Sequence, residues 1–414
     1  MSRTQALTSL ILTGALLLAG CAPAAPGAAL AQSDHPRRAA EAPQADREAL
    51  AAGNTAFALD LYQALRAEAG NLFLSPYSVS SALAMVYAGA RGETERQMAA
   101  VLRFDLPPER LHPAFNAVDQ MLTGGHDDPE AFQLRIANSV WGQTGYPFRP
   151  EYLDVLAENY GAGLRLVDFA GASEAARQAI NGWVAEQTAD RIQDLMPPDS
   201  VTADTRLVLA NAVYFKAKWE TPFQSWGDGE FTLADGAVVK TPFMTRRSQA
   251  RYMSGGGFEA IEIAYQGGRA RMVVIVPASG QFADFEAGLD SARLAALLGG
   301  LQETEAVLEM PKFSFEARFS LAGTLAGMGM PDAFSGAADF SGMDGSGGLS
   351  LSHVEHKAFV AVDELGTEAA AATGASMIVS APPVSLRIDR PFVFVIQDTS
   401  TGSVLFIGRV LDPR

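Results

Sequence analysis

The chain has 414 residues, 48% hydrophobic and 19% charged, a balance that belongs to a globular protein rather than a disordered one. A formal net charge of -16 without any basic cluster argues against a nucleic-acid partner. The single cysteine excludes an intramolecular disulfide, and a chain this long can bury a sizeable core without covalent staples.

From the N-terminus, Arg3 is followed by an apolar run from Leu10 to Leu18 that is too short to span a bilayer comfortably. It ends in Leu18-Ala19-Gly20-Cys21, which is similar to a bacterial lipobox, with small residues before a cysteine that becomes lipidated and N-terminal after cleavage. Residues 1–20 therefore read as a lipoprotein signal peptide and Cys21 as the lipidation site, whose acyl chains give a stable membrane anchor. The alternative is an ordinary signal peptide with an incidental cysteine. Residues 21–47, rich in Ala, Pro and polar side chains and without apolar periodicity, read as a flexible tether outside the fold. The folded domain is then 48–414. The expected location is the cell envelope, on its periplasmic or extracellular face, after secretion across the inner membrane.

A helix is predicted from Glu48 to Ala69, where Phe57, Leu61 and Leu65 recur every four residues. A second starts at Ser75-Pro76, since Ser caps and Pro fits the first turn. Tyr152 to Tyr160 and Ala175 to Gln187 read as helices, and Arg206 to Phe215 and Arg271 to Val276 as strands. The C-terminal third is strand-like, with Lys357 to Val362, Pro391 to Gln397 and Val404 to Arg409. Helices and strands mix without regular βαβ alternation, so the class is α+β.

Enzyme signatures are missing. No Gly-x-Ser-x-Gly nucleophile elbow occurs, and the Gly-rich Asp344-Gly345-Ser346-Gly347-Gly348 reads as a surface turn because neither Lys nor a helix follows it. His353 and His356 resemble a metal pair, but residues three apart on a strand point to opposite faces and no third ligand is evident. No metal, cofactor or catalytic residue is expected.

A series of blocks nonetheless appears in a recognisable order. It starts with Asn71-Leu72-Phe73-Leu74-Ser75-Pro76-Tyr77-Ser78 and Gly89-Ala90-Arg91-Gly92-Glu93-Thr94, then Asn211-Ala212-Val213-Tyr214-Phe215-Lys216-Ala217-Lys218-Trp219. Met310-Pro311-Lys312-Phe313, His356-Lys357-Ala358-Phe359, Gly366-Thr367-Glu368-Ala369-Ala370-Ala371-Ala372-Thr373 and Arg390-Pro391-Phe392-Val393-Phe394 complete it. In this ordered set the chain resembles the serpins, a family of serine protease inhibitors, over nearly everything from about residue 48. The resemblance implies three β-sheets, eight or nine helices and an exposed reactive loop near the C-terminus. It also implies a monomer that traps a target serine protease as a covalent acyl complex by inserting the cleaved loop into a sheet; strand insertion by serpins is a known example of stored-strain release.

Under that resemblance Gly366 to Thr373 is the hinge. Thr367, Ala369, Ala371 and Thr373 share one parity and are small enough to enter a sheet, while Glu368 lies on the other parity and can stay solvated. Counting the family's spacing from Glu364 puts the scissile bond at Ser380-Ala381, with Val379-Ser380 as the one-residue alternative. A small residue there suits an elastase-like pocket, and Met377, Ile378 and Val379 suit subtilisin-like subsites. Ser75, Ser78, Asn211 and His356 are implied at the shutter where the sheet opens; Trp219, Lys312 and Glu364 are implied at the breach, with Lys312 paired to Glu364. Leu365 and Gly374 depart from the usual family pattern. The other class of function open to such a chain is a non-inhibitory binding protein or chaperone, which a bulky or proline-broken hinge would have favoured.

Overall fold

The computed structural model describes residues 28–124, 131–367 and 383–414. Ten α-helices form among them: α1 (Gln44–Leu65), α2 (Pro76–Tyr87), α3 (Gly92–Leu102), α4 (Pro108–Thr123), α5 (Pro150–Tyr160), α6 (Phe169–Gln187), α7 (Phe282–Ala287), α8 (Ser291–Gly300), α9 (Ala322–Met328) and α10 (Ser341–Asp344). Ser75 caps α2 as expected, its hydroxyl accepting from the Ser78 amide at 3.4 Å with Pro76 in the first turn. Phe57, Leu61 and Leu65 of α1 are all buried, although the helix starts a turn earlier than the apolar period indicates.

Among the described residues sixteen strands make two hydrogen-bonded sheets. The first runs β1 (Ala29–Ala31), β4 (Leu164–Val167), β3 (Phe132–Gln143), β5 (Leu207–Lys218), β13 (Gly366–Thr367), β12 (Leu351–Val362), β11 (Phe313–Ser320). The second runs β14 (Val384–Arg387), β10 (Gln302–Pro311), β7 (Val238–Gly255), β8 (Phe258–Ala264), β9 (Ala270–Pro277), β15 (Phe392–Asp398), β16 (Val404–Val410), β2 (Leu72–Leu74), with β6 (Gln224–Thr232) branching from β7. The α+β class stands. Three sheets become two because the 18-residue β7 pairs with β6 and β10 along most of its length and with β8 at its end, joining what would be separate ladders. Ten helices exceed the expected eight or nine partly because α10 is a single turn. That turn runs into residues 344–348, expected as a surface turn, and Phe340 and Met343 just before it are buried.

Between the sheets lies the principal core. Phe73 stacks on Phe406 at 4.9 Å and on Phe394 at 5.7 Å, locking the short β2 against the C-terminal hairpin. A smaller core occupies the other face of the first sheet, where Val208, Ala210 and Ala212 of β5 meet Phe169, Ile180 and Val184 of α6. The chain from α6 to β5 continues this cover with Ile192, Leu195, Met196 and Val201.

The tether expectation fails for residues 28–47. β1 adds an edge strand to β4, with Ala29 opposite Leu166 and Ala31 opposite Leu164. Beyond it Ser33 donates to Asp154 at 2.5 Å, and Arg37 forks onto Asn116 at 2.8 Å and Asp119 at 2.7 Å. Asn116 returns two bonds to the Arg38 and Ala39 carbonyls at 3.1 and 3.0 Å, and Arg38 pairs with Glu158. The segment is a polar strap across α4 and α5. Apolar periodicity cannot reveal it, because its partners are side chains and backbone groups far away in sequence. Arg37→Ala is expected to lower stability by about 1–2 kcal/mol, since it removes two partly buried hydrogen bonds and takes the guanidinium from Asp119, while Asn116 Oδ1 keeps the Gln120 side chain; an unchanged denaturant midpoint would show that the strap is ornamental.

Candidate functional site: a strand pair parted at one end

β5 and β12 pair directly and in parallel from Leu207 opposite Leu351 to Tyr214 opposite Phe359. Above that point they part, and β13 sits between them, antiparallel to both: Thr367 opposes Ala217 on β5 and Val362 on β12. Two residues thus lie between β5 and β12 above the stretch where those strands pair directly.

Several contacts fix this wedge. A Cβ on Gly366 would lie 2.1 Å from the Ala217 carbonyl oxygen, so only glycine allows so close an approach to β5. Thr367 is buried, and its hydroxyl meets that of Tyr265 at 2.8 Å. Tyr265 stacks on Trp219 with ring centroids 4.5 Å apart. Trp219 in turn donates from its ring to the Asp363 carbonyl at 2.9 Å and from its backbone to the Leu365 carbonyl at 2.8 Å. Asp363 accepts from the Leu365 and Gly366 amides, closing the turn that enters the wedge. Lys312 meets Glu364 at 3.0 Å, both partly exposed, which limits the pair to under about 1 kcal/mol. Burial works to raise the Glu364 carboxyl, but its own amide, Lys312 and the Ser225 hydroxyl outweigh it and hold it below the usual range.

Lower down, polar groups close the seam on the side of the principal core. His356 of β12 and Asn211 of β5 face each other in register. The Ser75 amide donates to His356 Nε2 at 3.1 Å, so Nδ1 carries the proton and donates to Asn211 Oδ1. Asn211 donates to the Ser78 hydroxyl at 2.6 Å and to Asn138, and Ser78 donates to Asn138 at 3.0 Å. Burial alone lowers the imidazole to about 3, so it is neutral at physiological pH.

The structure therefore brings together Ser75, Ser78, Asn211 and His356, and separately Trp219, Lys312, Glu364, Gly366 and Thr367. Glu368, Ala369, Ala370, Ala371, Ala372, Thr373, Ser380, Ala381 and Cys21 lie outside the described residues. Sequence reasoning missed Asn138, the second side-chain amide of the cluster. An amide in the middle of Ile136-Ala137-Asn138-Ser139-Val140-Trp141 was the available signal. It also missed Tyr265 and Asp363. His353 and His356 face opposite sides of β12: His353 pairs with Val208 on the α6 side, His356 with Asn211 on the core side.

The family model described as Serpin (serine protease inhibitor) matches residues 52–413. The chain belongs to the serpin family. Among curated serpins it is 38% identical over 384 residues to leukocyte elastase inhibitor A of Mus musculus, covering 88% of this chain and 100% of that protein. It is 37% identical over 364 residues to a serpin-like protein of Thermococcus kodakarensis, covering 86% of this chain and 84% of that one. Of solved structures, tengpin, a thermophilic serpin in its native state, superposes with a TM-score of 0.82 at 28% identity, over 93% of this chain and all of that one. Uncleaved ovalbumin superposes at 0.79 and 28% identity, over 88% and 100%.

In this serpin, Asn211→Ala would leave His356, Ser78 and Asn138 short of a partner, and a loss of roughly 2–3 kcal/mol is expected on denaturant unfolding. The depressed His356 makes stability fully present above about pH 6.5 and lost as pH falls toward 3, because the unfolded chain binds the proton that the fold refuses. His356→Gln should flatten that part of the stability–pH profile; an unaltered slope would contradict the assignment.

Proposed function

We propose that this serpin is a suicide inhibitor of serine-type endopeptidases, acting as a monomer through a reactive loop between Thr367 and Val384. The observation that carries the reading is the wedge, antiparallel to both neighbours at the mouth of a seam that must part to receive the rest of the strand. Continuing its register, Ala369 would oppose Phe215 and Val360, Ala371 would oppose Val213 and Ala358, and Thr373 would oppose Asn211 and His356. Those β5 positions point into the principal core, so small residues of this parity could enter without overpacking it.

The protease serine attacks the carbonyl carbon of Ser380, or of Val379 in the alternative register. The peptide C–N bond breaks, the new amine leaves with a proton, and the ester holds the enzyme. Insertion of roughly 14 residues at ~3.3 Å each then carries the enzyme on the order of 45 Å, faster than water deacylates it. Distortion of its catalytic site completes the trap, since small misplacements already cost large factors in rate. The small residue at the bond and the apolar Met377-Ile378-Val379 favour elastase-like or subtilisin-like targets, and the names of the mammalian relatives agree with the first.

The test is to incubate residues 28–414, strap included, with an elastase, a subtilisin and a trypsin, then to look for a denaturant-stable complex and identify the released peptide. A complex with the first or second, and a peptide starting at Ala381 or Ser380, is expected. Ala371→Arg, which puts a long cation on the entering face, should turn the inhibitor into a substrate. Cleavage without trapping by the parent chain would instead support the binding-protein reading.

Lipidation of Cys21 completes the proposal. Six residues separate it from Ala28, a reach on the order of 25 Å. β1 enters beside β4, which pairs with the Val140–Gln143 end of β3, whereas β13 lies level with Phe132 at the other end. An anchor there would hold the loop-bearing pole away from the membrane. Cys21→Ala is expected to move the protein from the membrane to the soluble fraction of producing cells; a parent chain already soluble would rule the anchor out.

A further inference from the structure

The two faces of the β5–β12 seam are built differently. The core side is closed by amides and a neutral imidazole. The α6 side carries an acid: Glu355 of β12 is 3% exposed, opposite Ala210 on β5 and Ser320 on β11. Strand alternation groups it with the β5 residues over which α6 and the α6–β5 connector close. Lys357, the next β12 residue on that face, fastens the connector by donating to the Gln193 carbonyl at 3.0 Å, and it pairs with Glu316 at 2.9 Å. A carboxyl is thus buried at the seam, on the face where the connector is fastened to β12.

Burial holds the Glu355 carboxyl up at about 7, against the opposing Ser320 hydroxyl and the Arg318 charge. The other ionisable groups on its face of β12 and its neighbour β11 are His353, lowered by burial, and the Lys357–Glu316 pair; the connector itself carries Arg191 and Asp194, both exposed. His356, on the far face, is held neutral.

We propose that Glu355 is a proton-operated latch: as the neutral acid it lets the connector close over the seam, and on ionisation it drives cover and seam apart to reach water. This deepens the insertion reading by supplying a control on sheet opening, and it does not require that a protease be trapped. The direction follows from linkage. A carboxyl raised in the closed state contributes stability that is full below its ordinary 4.5 and lost as pH rises through about 7. An open state that wets Glu355 lacks this contribution, so opening becomes easier across that window and levels off above it.

The test is amide hydrogen exchange by mass spectrometry on the full mature chain between pH 5 and 8, corrected for intrinsic exchange. Opening of β5 and β12 is expected to rise about tenfold over that range, less than the full carboxyl shift because water penetration softens it. Glu355→Gln should make the profile level, and His353→Gln should leave the rise intact. A level parent profile overturns the latch, whether or not Glu355→Gln folds. So does a rise that survives Glu355→Gln or vanishes with His353→Gln. Failure of protease trapping would be read on the covalent band instead, so the two ideas fall separately.

Discussion

The direct parallel pairing of β5 with β12 is the constraint on which the rest of the structure depends. Parallel neighbours in one sheet need a long crossover, and here the chain between them runs through β6 to β10 of the second sheet and then β11 before it returns. No turn therefore ties the two strands together at either end. Their union rests on one ladder, closed by amides at the bottom and entered by Gly366 and Thr367 at the top. A seam of this kind can part without unfolding the strands on either side.

The surrounding elements make sense as ways of holding that seam. Helix α2 lies beneath it and supplies Ser75 and Ser78, so the polar groups in the core are satisfied instead of orphaned. Trp219 and Tyr265 brace the mouth, and the Lys312–Glu364 pair sits on its rim. The α6 cover and Glu355 guard the opposite face. Where the lower seam faces the principal core, the facing pair Asn211 and His356 is polar although its neighbours on that face of both strands are apolar.

Much of the site was legible because its chemistry is local. Ser75-Pro76 announces a helix cap, Gly366 announces a close backbone approach, and Asn211 and His356 are polar groups inside apolar strands. Asn138 carried the same kind of signal and was passed over, since one amide in a strand has no meaning until its partners are known. The strap was misread for a related reason. Arg37 and Arg38 look like solvated charges until α4 and α5 present Asn116, Asp119 and Glu158 to them.

The sequence by itself determined the family, the α+β class and the residue types at the seam, because motifs, periodicity and capping act over a few neighbours. Only the tertiary structure decided that β7 fuses two ladders, that residues 28–47 belong to the fold, and that Glu355 is buried beside a seam instead of solvated on a strand. Those outcomes depend on which distant groups meet, and burial sets the cost of a charge only once the covering chain is in place.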